Sequence, residues 1–159
     1  MVRFLGRLFI DTELWSFALK TPENAPDLER ALGRHEIANE FLKKKLASDQ
    51  IYITTHQLTE IFHALSFRGA KLDRNFTRAY IENLMKLQNV IVVNTTSVHF
   101  KKAMVLSCIS GVHVWDFLCV IPVINHVETL FTCDSHFQNK IFETFKKPIQ
   151  NPVDFWLEL

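Results

Sequence analysis

Two short apolar runs that each end on an aspartate constrain this chain more than any other feature. Leu8 to Ile10 lead directly into Asp11, and the stretch at 129–134 ends on Asp134. Apolar runs without polar alternation are typical of strands covered on both faces, as in a parallel sheet. The carboxyl ends of such strands form the edge at which ligands bind. Function therefore depends on whether the two aspartates meet at that edge.

Strand-like runs alternate with helical patterns along the whole chain. The strand-like runs lie at 7–11, 51–55, 89–94 and 129–134, with a short strand or extended tail after Pro148. Helical patterns cover about 28–47 (after an N-cap at Asp27), 56–67, 74–88, 97–110 and 114–126. This alternation predicts an α/β fold with right-handed crossovers. Because no repeat or composition break interrupts it, we expect one domain over residues 1–159.

Composition narrows the class of protein. The formal net charge is +1, so a nucleic-acid site would have to be a local patch. Three widely spaced cysteines fit neither a disulfide framework nor a zinc ribbon and favour a reducing compartment. We find no signal peptide and no apolar run long enough to span a bilayer. The expected location is the cytoplasm, with no membrane partner.

Four acidic residues fall where they could share a site. Asp11 and Asp134 end predicted strands, Glu60 lies about one turn into the helix after the second strand, and Asp116 begins the helix that leads to the fourth strand. Four converging carboxylates would repel one another unless a cation held them. Hard oxygen ligands favour Mg²⁺ or Mn²⁺ over zinc, and such an ion can activate water for attack on a phosphodiester.

The order of four sequence stretches resembles the PIN-domain family, metal-dependent ribonucleases that include the toxins of VapBC-type toxin–antitoxin pairs. The stretches are FIDTELW, TTHQLTEIFHAL, GVHVWDFLCV and LFTCDSHF. The resemblance covers nearly the whole chain. It implies a three-layer α/β/α fold around a mostly parallel sheet of four or five strands. It places the family's metal-binding catalytic acids on Asp11, Glu60, Asp116 and Asp134, and its hydroxyl on Thr132.

The same resemblance implies an activity and partners. The activity is Mg²⁺- or Mn²⁺-dependent hydrolysis of RNA, by a water that Thr132 helps to position, leaving a 5′-phosphate and a 3′-hydroxyl. The implied partners are a second copy of the chain, as a homodimer, and a small antitoxin protein. Two positions depart from the family: Glu13 stands where Asn is common, and Pro122 should kink or end the helix after Asp116.

Each candidate residue also has a purely structural interpretation. Asp11, Asp116 and Asp134 could cap helices, Glu60 could lie on a solvated helix face, and Thr132 could be an ordinary strand residue. The three cysteines could be small buried apolar groups. Glu60 and His63 have the Glu-x-x-His spacing of di-iron bundles, but such sites need a second copy of the motif that this chain lacks.

One basic segment is a candidate RNA contact. Arg68, Lys71, Arg74 and Arg78 lie among aromatic residues, so that cations could contact phosphates while an aromatic ring stacks on a base. Solvated lysines and core phenylalanines are the alternative interpretation of this segment.

Three functions remain open at this point. The first is a metal-dependent endoribonuclease. The second is a phosphatase of the haloacid-dehalogenase type, with Asp11 as nucleophile and Glu13 as general acid, although the family's catalytic lysine cannot be located. The third is a PIN-like module whose activity has lapsed and which binds RNA or a protein.

Overall fold

A five-stranded sheet organises the molecule. The computed structural model describes residues 2–158. The strands are β1 (Arg7–Ile10), β2 (Gln50–Thr54), β3 (Val90–Val93), β4 (Thr129–Phe131) and β5 (Ile149–Gln150). Their order is β3-β2-β1-β4-β5, and all four neighbouring pairs are parallel. The predicted α/β class with four or five mostly parallel strands is confirmed.

Helices connect the strands. The α-helices are α1 (Thr12–Leu19), α2 (Leu28–Ser48), α3 (Thr55–Phe67), α4 (Arg74–Leu84), α5 (Ser97–Ser110) and α6 (Val114–Val120). Two 3₁₀ helices follow β4, at Ser135–Gln138 and Lys140–Phe145. The predicted N-cap of α2 is confirmed, since the Asp27 carboxylate accepts the backbone N–H of Arg30 at 3.1 Å. None of the helices in residues 2–158 combines the length and apolar character that a bilayer crossing requires.

The structure adds one helix and corrects the ends of three other elements. Helix α1 was not predicted, because it has only eight residues and is apolar around most of its circumference. Helix α6 ends at Val120 rather than near 126, since Pro122 cannot continue the helical hydrogen bonding. Helix α4 ends at Leu84 rather than 88, and β4 ends at Phe131, three residues before the aspartate predicted to end it.

Two apolar cores, one on each face of the sheet, create the three layers. Side chains alternate along a strand, so Leu8 and Ile10 enter the core beneath α1–α4, while Phe9 enters the core beneath α5, α6 and the 3₁₀ helices. All three side chains are buried. The three-layer α/β/α arrangement is therefore confirmed.

The strand order positions a ligand site. Strand β1 is central, and the chain adds β2 and β3 on one side of it and β4 and β5 on the other. In open parallel sheets, the crevice at such a reversal of strand order, outside the carboxyl ends of the strands, is where ligands bind. Asp11 follows β1 directly, and residues 132–134 follow β4. The fold thus brings Asp11 and residues 132–134 to this crevice.

Candidate metal centre

One buried hydroxyl joins the loops that carry the first and last aspartates. Thr132 Oγ1 donates a hydrogen bond to Asp11 Oδ2 at 2.9 Å and accepts the backbone N–H of Asp134 at 3.0 Å. Strand β1 pairs with β4, and the pairing continues as Asp11 N donates to Phe131 O at 2.8 Å. Thr132 is fully buried. Its side chain therefore holds the aspartate loops at one place, rather than lying open to solvent.

The helix-capping interpretation holds for Asp134 but not for Asp11. Asp11 occupies the N-cap position of α1, yet its side chain makes no capping hydrogen bond. Asp134 does cap the first 3₁₀ helix, because its Oδ1 accepts the backbone N–H of His136 at 2.8 Å. Capping thus accounts for one oxygen of Asp134 and for neither oxygen of Asp11.

Asp116 lies beside Asp134, and it belongs to α6, which packs on the face of the sheet that contains Phe9. It lies in the first turn of α6, and its Oδ2 is 3.1 Å from His136 Nδ1. Asp134 Oδ1 lies 3.5 Å from the same nitrogen. One ligand atom from each of these three residues lies within 4.8 Å of the other two. Pro122 does not disturb this arrangement, because α6 ends before it.

Glu60 lines the same cleft from α3 and has different neighbours. Its Oε2 accepts hydrogen bonds from Thr12 Oγ1 at 3.2 Å and Cys119 Sγ at 3.0 Å, and its Oε1 lies 3.4 Å from His56 Nε2. Glu60, His56 and Cys119 form a second group of ligand atoms within 4.8 Å of one another. Within residues 2–158, Glu60 thus belongs to a different group from Asp116, Asp134 and His136, and Asp11 belongs to neither group.

The four predicted acids all line one cleft of about 650 Å³, here called the acidic cleft. Its lining residues are Asp11, Thr12, Glu13, His56, Thr59, Glu60, His63, Arg68, His113, Trp115, Asp116, Asp134 and His136. Thr132 lies beneath the cleft.

Burial and mutual repulsion shape the protonation of these acids. Burial, followed by the charges of Asp134, Asp116 and Glu13, raises the pKa of Asp11 well above its ordinary value. Burial and the charge of Asp134 raise the pKa of Asp116 to about 7, although His136 opposes that shift. These two carboxyls therefore resist ionisation unless positive charge enters the cleft.

The pKa of Glu60 is shifted in the opposite direction. Burial acts to raise its pKa, but the contacts with His56, Cys119 and Thr12 outweigh burial and leave the pKa below its ordinary value. Glu60 is therefore a carboxylate at neutral pH.

Two larger side chains stand among the residues that line the cleft. Trp115 is about half exposed and stacks in parallel on His56, with ring centroids 5.3 Å apart. Arg68 donates to Glu13 Oε1 at 2.8 Å, so Glu13 holds a cation beside the cleft. The Lys20 ammonium donates to the backbone carbonyl of Arg68 at 2.9 Å and so helps to fix the position of Arg68.

The remaining basic candidates lie elsewhere. Lys71 and Arg74 line a separate, smaller cavity of about 340 Å³, and Arg78 pairs with Glu82 at 3.9 Å on the surface. Of the four predicted RNA contacts, Arg68 is the one that lines the acidic cleft within residues 2–158.

Sequence reasoning missed several residues of the cleft. His136, His113, Trp115 and Cys119 contact the acids or line the cleft, but none of these four has a ligand spacing that identifies it along the chain. His56 lies one helical turn before Glu60, a spacing visible in the sequence, but it was not predicted as a site residue. Proximity to an acid was the available signal, since His136 follows Asp134 by two residues. Cys119 is buried, as its small-apolar interpretation predicted, yet its thiol donates to Glu60.

Comparison with known proteins supports the fold. No family model matches the chain, and no curated protein matches it by sequence. Among solved structures, it is similar to a chain of the crystal structure of VapBC2 from Rickettsia felis bound to a DNA fragment from their promoter. The TM-score is 0.57 and the identity 13%, over 91% of this chain and 98% of that chain. At this identity the similarity concerns the fold alone.

Proposed function

We propose that this protein is a metal-dependent endoribonuclease of the PIN type. The observation that carries the proposal is the convergence of Asp11, Glu60, Asp116 and Asp134, from four separate parts of the chain, on one cleft. The fold similarity to VapBC2 supports the proposal, because PIN-type toxins belong to VapBC pairs. Repelling acids at the ligand-binding edge of a parallel sheet are costly to maintain unless they hold a cation.

The donor set suits Mg²⁺ or Mn²⁺. Asp11, Asp116 and Asp134 supply hard carboxylate oxygens. The pKa of Asp11 and of Asp116 is raised first by burial and then by neighbouring negative charge, which a divalent cation would neutralise. Arg68 pairs with Glu13 rather than with these three aspartates, and its remaining N–H groups stay available to a phosphate. When bound, the ion would supply Lewis acidity at the phosphodiester and lower the pKa of an attacking water.

The chain's own residues orient that chemistry. Asp11, Asp116 and Asp134 would hold the ion directly or through water, and Glu60 would contribute a further carboxylate from α3. Thr132 keeps the Asp11 carboxylate at a fixed angle through its 2.9 Å hydrogen bond. Because Thr132 is buried, it acts on the attacking water through Asp11 rather than by contact.

The flanking residues suit a single-stranded nucleic acid. The half-exposed indole of Trp115 offers a surface on which a base can stack, and the Arg68 guanidinium offers a phosphate contact at the same cleft. A strand that leaves the cleft past Arg68 could contact Lys71, Arg74 and Arg78, which follow it in the chain. Stacking and phosphate contacts of this kind carry little sequence preference.

The decisive experiment removes one carboxylate charge at a time. We expect Asp11→Asn and Asp134→Asn to reduce cleavage of a single-stranded RNA at least a hundredfold, and EDTA to abolish cleavage by the unmodified protein. Asp27→Asn is the matched control, because Asn also caps helices and residue 27 lies outside the cleft. Undiminished, chelator-resistant cleavage in the Asp11 and Asp134 variants would contradict the proposal.

A lapsed PIN-like binding module is distinguished by metal binding. Calorimetric titration of Mn²⁺ should give a saturable isotherm that Asp134→Asn weakens, whereas a lapsed site gives no such isotherm. No observation favours the phosphatase alternative, since Glu13, its required general acid, is paired with Arg68.

Partners and location follow from the same proposal. A small antitoxin is expected because the similar structure is a VapBC2 complex, and a homodimer is expected from the family resemblance. An RNA substrate and three free cysteines fit the reducing cytoplasm. Sedimentation of the isolated chain tests the dimer, and co-purification with the product of an adjacent short reading frame tests the antitoxin.

A further inference from the structure

The second group of ligand atoms in the acidic cleft has a chemistry that a magnesium nuclease does not require. It joins an imidazole nitrogen, a carboxylate and a thiol from His56, Glu60 and Cys119. Cys119 is almost fully buried and comes from α6, whereas the other two residues lie one turn apart on α3. A buried thiol directed at a carboxylate is a feature that the proposed nuclease leaves unused.

The separations match those of a small metal site. Cys119 Sγ lies 3.0 Å from Glu60 Oε2, and His56 Nε2 lies 3.4 Å from Glu60 Oε1. Tetrahedral zinc with bonds of about 2.0–2.3 Å places neighbouring ligand atoms about 3.2–3.7 Å apart. These two distances involve different oxygens of Glu60, but one ligand atom from each of the three residues lies within 4.8 Å of the other two, so side-chain rotations that close the remaining gap would bring all three onto one ion.

His56 is prepared for such a contact. Its Nε2 is sealed from solvent and forms no hydrogen bond of ordinary geometry with any of residues 2–158. The parallel indole of Trp115 holds the plane of the imidazole. A buried nitrogen whose contact with a carboxylate oxygen, here Glu60 Oε1 at 3.4 Å, lacks good hydrogen-bond geometry is poorly satisfied, and a metal ion at this position would satisfy it.

We propose that His56, Glu60 and Cys119 form a second metal site that binds Zn²⁺ or another thiophilic divalent ion in preference to Mg²⁺. Thiolate and imidazole ligands select zinc-like ions, whereas Mg²⁺ requires oxygen ligands. Binding breaks the S–H bond of Cys119, forms a metal–sulfur bond and releases the proton to solvent. Three protein ligands leave the fourth position to water from the cleft.

One consequence rests on the proposed nuclease. Glu60 belongs both to this site and to the four acids proposed for Mg²⁺ or Mn²⁺. A zinc-like ion bound by His56 and Cys119 would therefore also bind Glu60 and make it unavailable to Mg²⁺ or Mn²⁺. Zinc would then inhibit the nuclease. The binding itself is independent of nuclease activity.

The test uses Co²⁺ as a spectroscopic probe on the full chain in a Cys108→Ser background, because Cys108 is exposed and could bind cobalt nonspecifically. We expect a saturable thiolate-to-cobalt charge-transfer band in the near ultraviolet that Zn²⁺ bleaches at stoichiometric amounts. Because Mg²⁺ would compete for Glu60 but not for the imidazole and the thiolate, excess Mg²⁺ should raise the cobalt concentration needed for saturation without removing the band at saturating cobalt. A proton release of one per bound ion should accompany the titration.

Matched variants assign the ligands. Cys119→Ser should abolish the band, whereas Cys133→Ser, a change at the other buried cysteine, should retain it. His56→Gln should weaken cobalt binding at least tenfold, and it serves if the Cys119 variant fails to fold, because His56 lies on the wall of the cleft. The absence of a band, a band that survives Cys119→Ser, or loss of the band to Mg²⁺ at saturating cobalt would each overturn the proposal, whether or not the protein cleaves RNA.

Discussion

The hydroxyl of Thr132 donates a 2.9 Å hydrogen bond to Oδ2 of Asp11, although 121 residues separate them in the chain. The bond lies beneath the acidic cleft, and both residues are buried. It supplies the buried Asp11 carboxylate with a donor, and the same hydroxyl accepts the backbone N–H of Asp134. The geometry of the candidate metal centre thus depends on one side chain that faces no solvent.

Replacement of Thr132 tests that dependence. Thr132→Val should lower the free energy of unfolding by about 1–3 kcal/mol, because it leaves a buried acceptor and a buried N–H without partners. It should also weaken Mn²⁺ binding, whereas Thr132→Ser keeps the hydroxyl and should retain most of both. Urea unfolding and calorimetry measure the two effects. Equal behaviour of the Val and Ser variants would show that the hydroxyl does not matter.

The raised pKa values predict how the metal-free protein responds to pH. An acid whose pKa is higher in the folded than in the unfolded state binds protons more tightly when folded, so stability falls as pH rises between the two values. For Asp116 these are about 3.8 and about 7, and Asp11 is shifted in the same direction. The free energy of unfolding without metal should therefore decrease from about pH 4.5 to pH 7.5.

Urea titrations in EDTA across this range measure the decrease. Asp116→Asn should flatten the dependence, because Asn does not titrate, and Mn²⁺ at pH 7.5 should restore stability to the unmodified protein. Stability that rises with pH over this window would mean that the carboxyls are not buried together as described.

Trp115 should matter for RNA binding through its exposed ring. Trp115→Leu should raise KM for a single-stranded RNA about tenfold or more, since base stacking on an aromatic side chain contributes about 1–3 kcal/mol. Trp115→Phe should recover part of the loss. Trp156→Leu is the control, because that indole is also exposed but lies outside the cleft. Equal losses at the two tryptophans would exclude a stacking role for Trp115.

Arg68 should contribute a phosphate contact. Arg68→Gln should raise KM several-fold and reduce by about one the slope of log affinity against log salt concentration. The control is Arg30→Gln, at an exposed position of α2 outside the cleft. Binding assays from low to high salt distinguish the two variants. An unchanged salt slope in Arg68→Gln would mean that Arg68 contacts no phosphate and only pairs with Glu13.

The fold was largely predictable because the strand signals are local. The runs around Phe9, Ile53 and Val92 are apolar on both faces, which a covered parallel sheet requires, and each leads toward a helix. Helix α1 was not predictable in the same way, because its residues are buried by α2 and α3 on most sides and therefore show no helical period. Pro122 indicated a kink or an end in α6, but the helical pattern predicted this helix to about 126, and it ends at Val120.

The four acids of the candidate site and Thr132 could be proposed from the sequence, whereas the histidine and the thiol that contact the acids could not. Asp11, Glu60, Asp116 and Asp134 could be proposed together because each has a defined position relative to a strand or a helix start. The contacts of His136 with Asp116 and of Cys119 with Glu60 join residues on separate elements. Such contacts depend on how α3, α6 and the 3₁₀ helix pack, which no spacing along the chain encodes.

By itself, the sequence determined the alternation of strands and helices and therefore the edge at which Asp11 and Asp134 emerge, because hydrophobic period and chain direction are local properties. Only the tertiary structure decided which oxygens are used by caps, which carboxyls repel one another, and which histidine and thiol stand beside them. Those outcomes depend on distances of a few ångströms between elements from opposite ends of the chain, and burial sets the dielectric in which the charges interact.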